Sequence, residues 1–181
     1  MRYRTIVADP PWRVNRLESP GAKGFGTNGS SLRSVPLPYP TMGVVEIAAL
    51  PVSDLAATDA HLYLWTINRY VEDTYDIARA WGFEPSTLLT WAKRPMGLGP
   101  GGAFSITTEY ALFCRRGECP ARSRADSTWW EWPRGGHSVK PEAFQDLVER
   151  VSPGPYLELF ARRQRLGWDT WGNECFESVA L

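Results

Sequence analysis

Four consecutive residues, Asp9-Pro10-Pro11-Trp12, bring together a carboxylate, two rigid imino acids and a large aromatic. Those residue types in that order suit a flat ring carrying an exocyclic amine. Asp9 can accept one N–H of the amine. The carbonyls beside Pro10 and Pro11 can accept the other, because each proline ring holds φ near one value and so aims the neighbouring carbonyls. Trp12 offers a π-face for the ring, a stack worth roughly 1–3 kcal/mol for a nucleobase. The plainer alternative is a strand ended by proline, with Asp9 as a cap and Trp12 in the core.

The residues before the tetrapeptide decide where it sits. Residues 3–8 alternate loosely and carry the β-branched Thr5, Ile6 and Val7, which predicts a short buried strand. Pro10 and Pro11 have no N–H to give a ladder, so the strand stops before them. Asp9 is thereby left at the carboxyl end of a strand, the edge of an open α/β sheet where ligands bind.

Further elements must position the rest. The polar stretch 13–38, with Gly21, Gly24, Gly26 and Gly29, reads as a lid that orders on substrate. Thr41 predicts the cap of a short helix over 41–50, and residues 61–66 a second strand. Asn68 predicts the cap of a helix with Val71, Tyr75, Ala78 and Trp81 at helical spacing, closed by Gly82. Strands follow over 86–92 and 107–114, separated by a Gly/Pro loop. Residues 115–134 read as a loop holding Arg115, Arg116, Arg122, Arg124 and Arg134 beside Trp129, Trp130 and Trp132, a mixture suited to backbone phosphates and unstacked bases. A solvated loop with its tryptophans folded onto the core is the competing reading. Pro141 predicts a first helical position ahead of Phe144, Leu147, Val148 and Val151, and Ser152-Pro153-Gly154 ends that helix. The apolar run 155–161 is a strand with Glu158 inside it. An acidic residue there is either paired or a ligand for hydroxyls. Strands alternating with helices predict a mainly parallel sheet with helices on both faces. No repeat or linker divides residues 1–181, which read as one domain.

Composition narrows the function. With 20 Lys and Arg against 20 Asp and Glu the chain has no overall basic field, so nucleic-acid binding must use local patches. No stretch is long and apolar enough to span a membrane, and the N-terminus lacks a signal-peptide pattern. Cys114, Cys119 and Cys175 have no paired spacing and only His61 and His137 beside them, which argues against zinc and for a reducing, cytoplasmic setting.

Several segments in register resemble the adenine-N6 methyltransferases related to the catalytic subunit of the eukaryotic mRNA methyltransferase. They are Asp9-Pro10-Pro11-Trp12, Leu37-Pro38-Tyr39-Pro40-Thr41-Met42, Leu62-Tyr63-Leu64-Trp65, Trp91-Ala92-Lys93, Ser138-Val139-Lys140-Pro141, Ser152-Pro153-Gly154, Glu158-Leu159-Phe160-Ala161-Arg162 and Trp171-Gly172-Asn173-Glu174. The resemblance implies a Rossmann-like methyltransferase fold in permuted motif order, with the catalytic tetrapeptide ahead of the cofactor-binding strand, and S-adenosylmethionine as cofactor. It implies Asp9, Pro10, Pro11 and Trp12 at the reacting centre, with Trp12 and Tyr39 holding the target base. Lys140 would meet the methionine carboxylate. Glu158 and Arg162 would lie at the ribose, and Asn173 and Glu174 near the adenosine, with Asp9 and Phe160 also in contact with the cofactor. Gln164 is a weaker ribose candidate, because residues 162–168 are shorter than in the family. Longer members hold the cofactor's adenine with a segment upstream of the first strand, whereas here eight residues precede Asp9. Weak cofactor binding, or completion of the pocket by a homodimer mate, a partner subunit or the nucleic acid, is the expectation.

The implied reaction is direct displacement at the cofactor's methyl carbon by adenine N6 in nucleic acid, DNA ahead of RNA. Two alternatives stay open: a non-catalytic nucleic-acid-binding partner of such an enzyme, and a methyltransferase acting on a protein amide or small amine.

Overall fold

The computed structural model describes residues 2–13, 40–94, 104–135, 139–172, 175, 179 and 181. Among them a seven-stranded sheet runs through the molecule in the order β5-β3-β4-β2-β1-β6-β7. The strands are β1 (Tyr3–Ala8), β2 (Ala56–Thr66), β3 (Glu84–Arg94), β4 (Thr108–Arg116), β5 (Trp129–Pro133), β6 (Tyr156–Leu159) and β7 (Trp168–Trp171). β1 lies parallel to both β2 and β6, β6 is parallel to β7, and β3 is parallel to β5. Only β4 runs the other way, antiparallel to both of its neighbours. The mainly parallel sheet is thus as the alternation predicts. β4 departs from it: β3 and β4 are successive strands of the sheet and pair antiparallel, the arrangement that needs no crossover.

The pleat sends alternate side chains to opposite faces. Ile6, Leu62 and Leu64 meet Ile47, Val52, Ile77 and Trp81 on one face, from α1 (Val44–Ala48), α2 (Val52–Leu55) and α3 (Val71–Ala80) with the turn after it. Val7, Tyr63 and Trp65 meet Phe144, Leu147 and Val148 of α4 (Glu142–Val151) on the other. Both faces are covered, as a parallel sheet requires.

Several boundaries differ from the sequence reading. Gly43, rather than Thr41, caps α1, and the Glu46 carboxylate accepts its N–H. Asn68 opens a 3₁₀ turn, Asn68–Tyr70, and α3 proper starts at Val71. Pro141 is the extended residue before α4, one position earlier than expected. The larger correction is at 129–133. Expected within a loop, these residues form edge strand β5, whose Trp130 and Trp132 stack on each other at 5.4 Å and turn toward the second core cluster. Three tryptophans with strand-like alternation outweighed the polar residues around them.

At the far edge, β6 ends in a sharp turn. Phe160 has φ +62°, a left-handed conformation costly for an aromatic residue. Gly172 lies against this turn, where a Cβ would sit 2.4 Å from the Ala161 carbonyl oxygen. Only glycine lets the end of β7 come that close, and the Ala161 N–H reaches the Trp171 carbonyl at 2.9 Å. Among the described residues no helix is long and apolar enough to cross a membrane.

A buried polar knot joins β2 to the end of α4. His61, 1 % exposed, has Nδ1 2.7 Å from Ser152 Oγ and Nε2 3.0 Å from the Cys119 carbonyl. A carbonyl only accepts, so Nε2 carries the proton and Nδ1 accepts from Ser152, which in turn accepts from the Tyr63 hydroxyl. Burial pushes the His61 pKa below its ordinary value, with Arg115 and Arg4 adding to the drop against the Cys119 carbonyl. Below about pH 6.5 the unfolded chain therefore takes up a proton that folded His61 resists, and stability falls with pH. A His61→Gln variant should lose stability at pH 7.5 yet show a flatter decline between pH 7 and pH 5, read from urea midpoints. An unchanged slope would show that His61 is not the group responsible.

Candidate active site

The carboxyl ends of β1, β2, β3, β6 and β7 share one sheet edge. Because β4 is antiparallel, its beginning arrives at that same edge. Asp9 follows β1 directly, tied by its N–H to the Leu159 carbonyl at 3.3 Å. Lys93 is near the end of β3, Glu109 near the start of β4, and Lys140 just before α4. These four side chains converge. Lys140 Nζ lies 2.7 Å from Asp9 Oδ1 and 3.3 Å from Glu109 Oε2. Its second contact to Asp9, at Oδ2, is 2.8 Å. Glu109 is also paired with Lys93. All four are between 14 and 18 % exposed. The Lys140 ammonium also stands 5.2 Å over the Trp65 ring, and Lys93 stands 5.3 Å from that of Trp91.

The cluster is neutral, two carboxylates against two ammoniums, which is what makes its burial tolerable. Burial pushes the Asp9 carboxyl above its ordinary value, against the pull of Lys140 and Arg162. Burial works against the Lys140 ammonium too, but Asp9 and Glu109 outweigh it and hold its pKa up. On Glu109 burial is outweighed by Lys140 and Lys93, and the carboxyl stays low. The proton therefore rests on Lys140.

A second carboxylate site adjoins the first. Glu158, on β6, accepts from Gln145 Nε2 at 2.6 Å, and Gln145 Oε1 accepts from Arg163 at 2.9 Å. Burial, with Asp9 adding to it, raises the Glu158 pKa to about 7 against the pull of Arg163 and Gln145.

The tetrapeptide is held differently from the sequence expectation. Trp12 is 5 % exposed, its ring stacked on Tyr70 at 4.9 Å and its indole N–H given to the Trp65 carbonyl. This is the core placement weighed as the plainer alternative. It gives the ring a bracing role and leaves no open face for a base, because Trp12 follows two prolines that turn the chain back onto β2. The Pro10 carbonyl accepts from the Trp12 N–H and the Pro11 carbonyl from the Met42 N–H, both at 2.9 Å. Each keeps one lone pair for another donor. Phe160 packs edge-on to Trp171 at 5.2 Å. Tyr39, Asn173 and Glu174 lie outside the described residues, as do residues 14–38 of the expected lid.

Glu109, Lys93, Gln145 and Arg163 were not singled out as site residues. The signal for Glu109 was the one that marked Glu158, a lone acid within an apolar strand. Its place at the site edge depends on the reversed direction of β4, which periodicity does not reveal.

The MT-A70 family model matches residues 3–174. The chain belongs to this family. It is 31 % identical to the type II methyltransferase M.MunI of a Mycoplasma species, over 96 % of this chain and 78 % of that protein. Other MT-A70 relatives include the Drosophila melanogaster N(6)-adenosine-methyltransferase MT-A70-like protein, 28 % identical over 96 % of this chain. The human N(6)-adenine-specific methyltransferase METTL4 is 26 % identical over 95 %. The chain spans 27 % and 37 % of the lengths of these two proteins.

The four-charge cluster has a direct test. Glu109→Gln leaves an uncompensated ammonium in a largely buried site and should cost about 3 kcal/mol. The double change Glu109→Gln with Lys93→Gln restores neutrality and should recover a large part of that loss in a denaturation cycle. Additive losses would mean that the two residues do not act as one cluster.

Proposed function

We propose that this chain transfers a methyl group to the exocyclic N6 amine of adenine in nucleic acid, with DNA preferred to RNA. The observation that carries the reading is the Asp9–Lys140 pair at the carboxyl end of β1, formed by the family-matching tetrapeptide and the residue ahead of α4. The preference for DNA is supported by the relatives: the chain is 31 % identical to a type II methyltransferase and 28 % identical to a relative named for adenosine, a ribonucleoside.

The donor set suits S-adenosylmethionine, whose amino-acid end carries one carboxylate and one ammonium. Lys140 and Asp9 present the complementary charges, and while paired with each other they keep the site neutral. Exchanging that pair for pairs with a zwitterion buries no net charge. In this reading Lys140 holds the cofactor carboxylate, Glu158 accepts from a ribose hydroxyl, and Phe160 and Arg162 line the turn beside it. Asn173 and Glu174 stay assigned to the adenosine and Tyr39 to the target base, on the family pattern alone. When bound, the cofactor supplies an electrophilic methyl on a sulfonium.

The protein's own work is on the amine. Its lone pair is delocalised into the ring, so it is a weak nucleophile. Asp9 accepts one N–H through a carboxylate oxygen, and the Pro10 carbonyl accepts the other through its remaining lone pair. Both interactions raise electron density on nitrogen and favour pyramidal geometry. Two rigid prolines keep the acceptors fixed, which supplies part of the entropic advantage. A base within a duplex must first be extruded, at a cost of a few kcal/mol. A non-catalytic partner has no need for Asp9, Lys140 and Glu158 together, and nothing in the geometry favours a protein amide over adenine.

Incubation with labelled S-adenosylmethionine and matched DNA and RNA strands should place label on N6 of adenine. Asp9→Ala should lower the rate at least about a hundredfold. Label on RNA alone would reverse the DNA preference, and label on neither would sink the reading. A second expectation concerns Trp129, 57 % exposed, beside an open concavity of about 360 Å³ that it lines with Arg124 and Asp126. It lies three residues down β5 from Trp132, which pairs with Lys93, so about 10 Å from the site edge. Trp129→Ala should weaken oligonucleotide binding roughly tenfold in fluorescence anisotropy and leave cofactor affinity unchanged. Equal binding by both proteins would remove β5 from the nucleic-acid path.

A further inference from the structure

Gln145 is an unusual residue to find on the apolar face of α4. It is 3 % exposed, on a helix whose other buried residues are Phe144, Leu147 and Val148. Burying an amide costs free energy unless both of its ends are satisfied. Here both are, and in only one orientation. The Arg163 guanidinium can only donate, so the atom it meets at 2.9 Å must be the amide oxygen. That fixes the amide nitrogen toward Glu158 Oε2 at 2.6 Å. Arg163 is itself held from the other side by Glu142, at 3.2 Å. The result is a directed chain from the first turn of α4, through Arg163 and Gln145, to one oxygen of the Glu158 carboxylate.

We propose that Gln145 and Arg163 are positioning residues for the ribose of the cofactor, orienting Glu158 so that Oε2 is taken and Oε1 is presented to a ribose hydroxyl. This rests on the cofactor reading above. A strand side chain next to an open edge has several rotamers, and a carboxylate free to rotate would offer its lone pairs in many directions. The Gln145 donor selects one. It also supplies hydrogen bonding that favours the ionised carboxylate, as does the Arg163 charge, in a place where burial and the neighbouring Asp9 favour the protonated one. A carboxylate can accept from two ribose hydroxyls or from one hydroxyl and Gln145, whereas the neutral acid must spend one oxygen as a donor.

The test compares binding of S-adenosylhomocysteine with that of its ribose-deoxygenated analogue by calorimetry, across pH 6 to 9, with thermal melts to confirm folding. Gln145→Met keeps the volume and removes the donor. Arg163→Lys, at a partly exposed position, keeps the charge but loses the fork and guards against a Gln145 variant that does not fold. Wild-type protein should favour the parent ligand, and Gln145→Met should weaken that ligand about tenfold at pH 7.5 with little change for the deoxygenated analogue. The midpoint of the pH dependence should also move upward in the variant, and Arg163→Lys should give an intermediate shift in the same direction. Equal losses on both ligands, or an unmoved midpoint, would overturn the positioning role and leave the cofactor reading standing. Failure of wild-type protein to bind S-adenosylhomocysteine would overturn both.

Discussion

Burial of four charges at one sheet edge is the constraint around which this structure is arranged. At 2.7 Å the attraction between Lys140 and Asp9 is about 6 kcal/mol with an effective dielectric constant near 20. Withdrawing each ion from water costs several kcal/mol, so attraction and desolvation nearly cancel. The cluster is therefore no large source of stability. Its value is positional, since two carboxylates and two ammoniums held by four different segments admit few arrangements that leave every charge paired. Trp65 and Trp91 close the cluster from the side of the second core and keep the dielectric low.

The surrounding architecture serves that edge. The prolines after Asp9 turn the chain so that Trp12 locks onto Tyr70 and the Trp65 carbonyl, which ties the tetrapeptide to β2. On the other flank, the left-handed Phe160 and the close approach of Gly172 bring the ends of β6 and β7 together beside Glu158. Strain at Phe160 is retained where the fold over-determines it, between two parallel strand ends.

Much of this was legible in the chain and some was not, for identifiable reasons. β1 and the Pro-terminated Asp9 were readable because proline excludes continuation of a ladder. Glu158 stood out as an acid in an apolar run, and α4 followed from its apolar stripe. Lys140 and Arg162 came from resemblance to a family, not from periodicity. The expectation for Trp12 failed because an aromatic after a turn packs wherever the nearest groove lies, and local sequence does not record that groove. β5 was hidden by arginines and acids that decorate an edge strand as readily as a loop. Glu109, Gln145 and Arg163 owe their roles to strand direction and to contacts across 13 to 31 positions of chain.

The distance along the chain between the two members of the central ion pair carries a kinetic meaning. Asp9 and Lys140 are 131 positions apart, and β1 finds its neighbours in β2 and in the late strand β6. Closing so long a loop is slow, and the pairing that closes it is between parallel strands. The Asp9–Lys140 contact thus requires segments far apart in the chain to have met, whereas Lys93 and Glu109, 16 positions apart on adjacent strands, can pair locally. The two halves of the cluster therefore carry very different loop-closure costs.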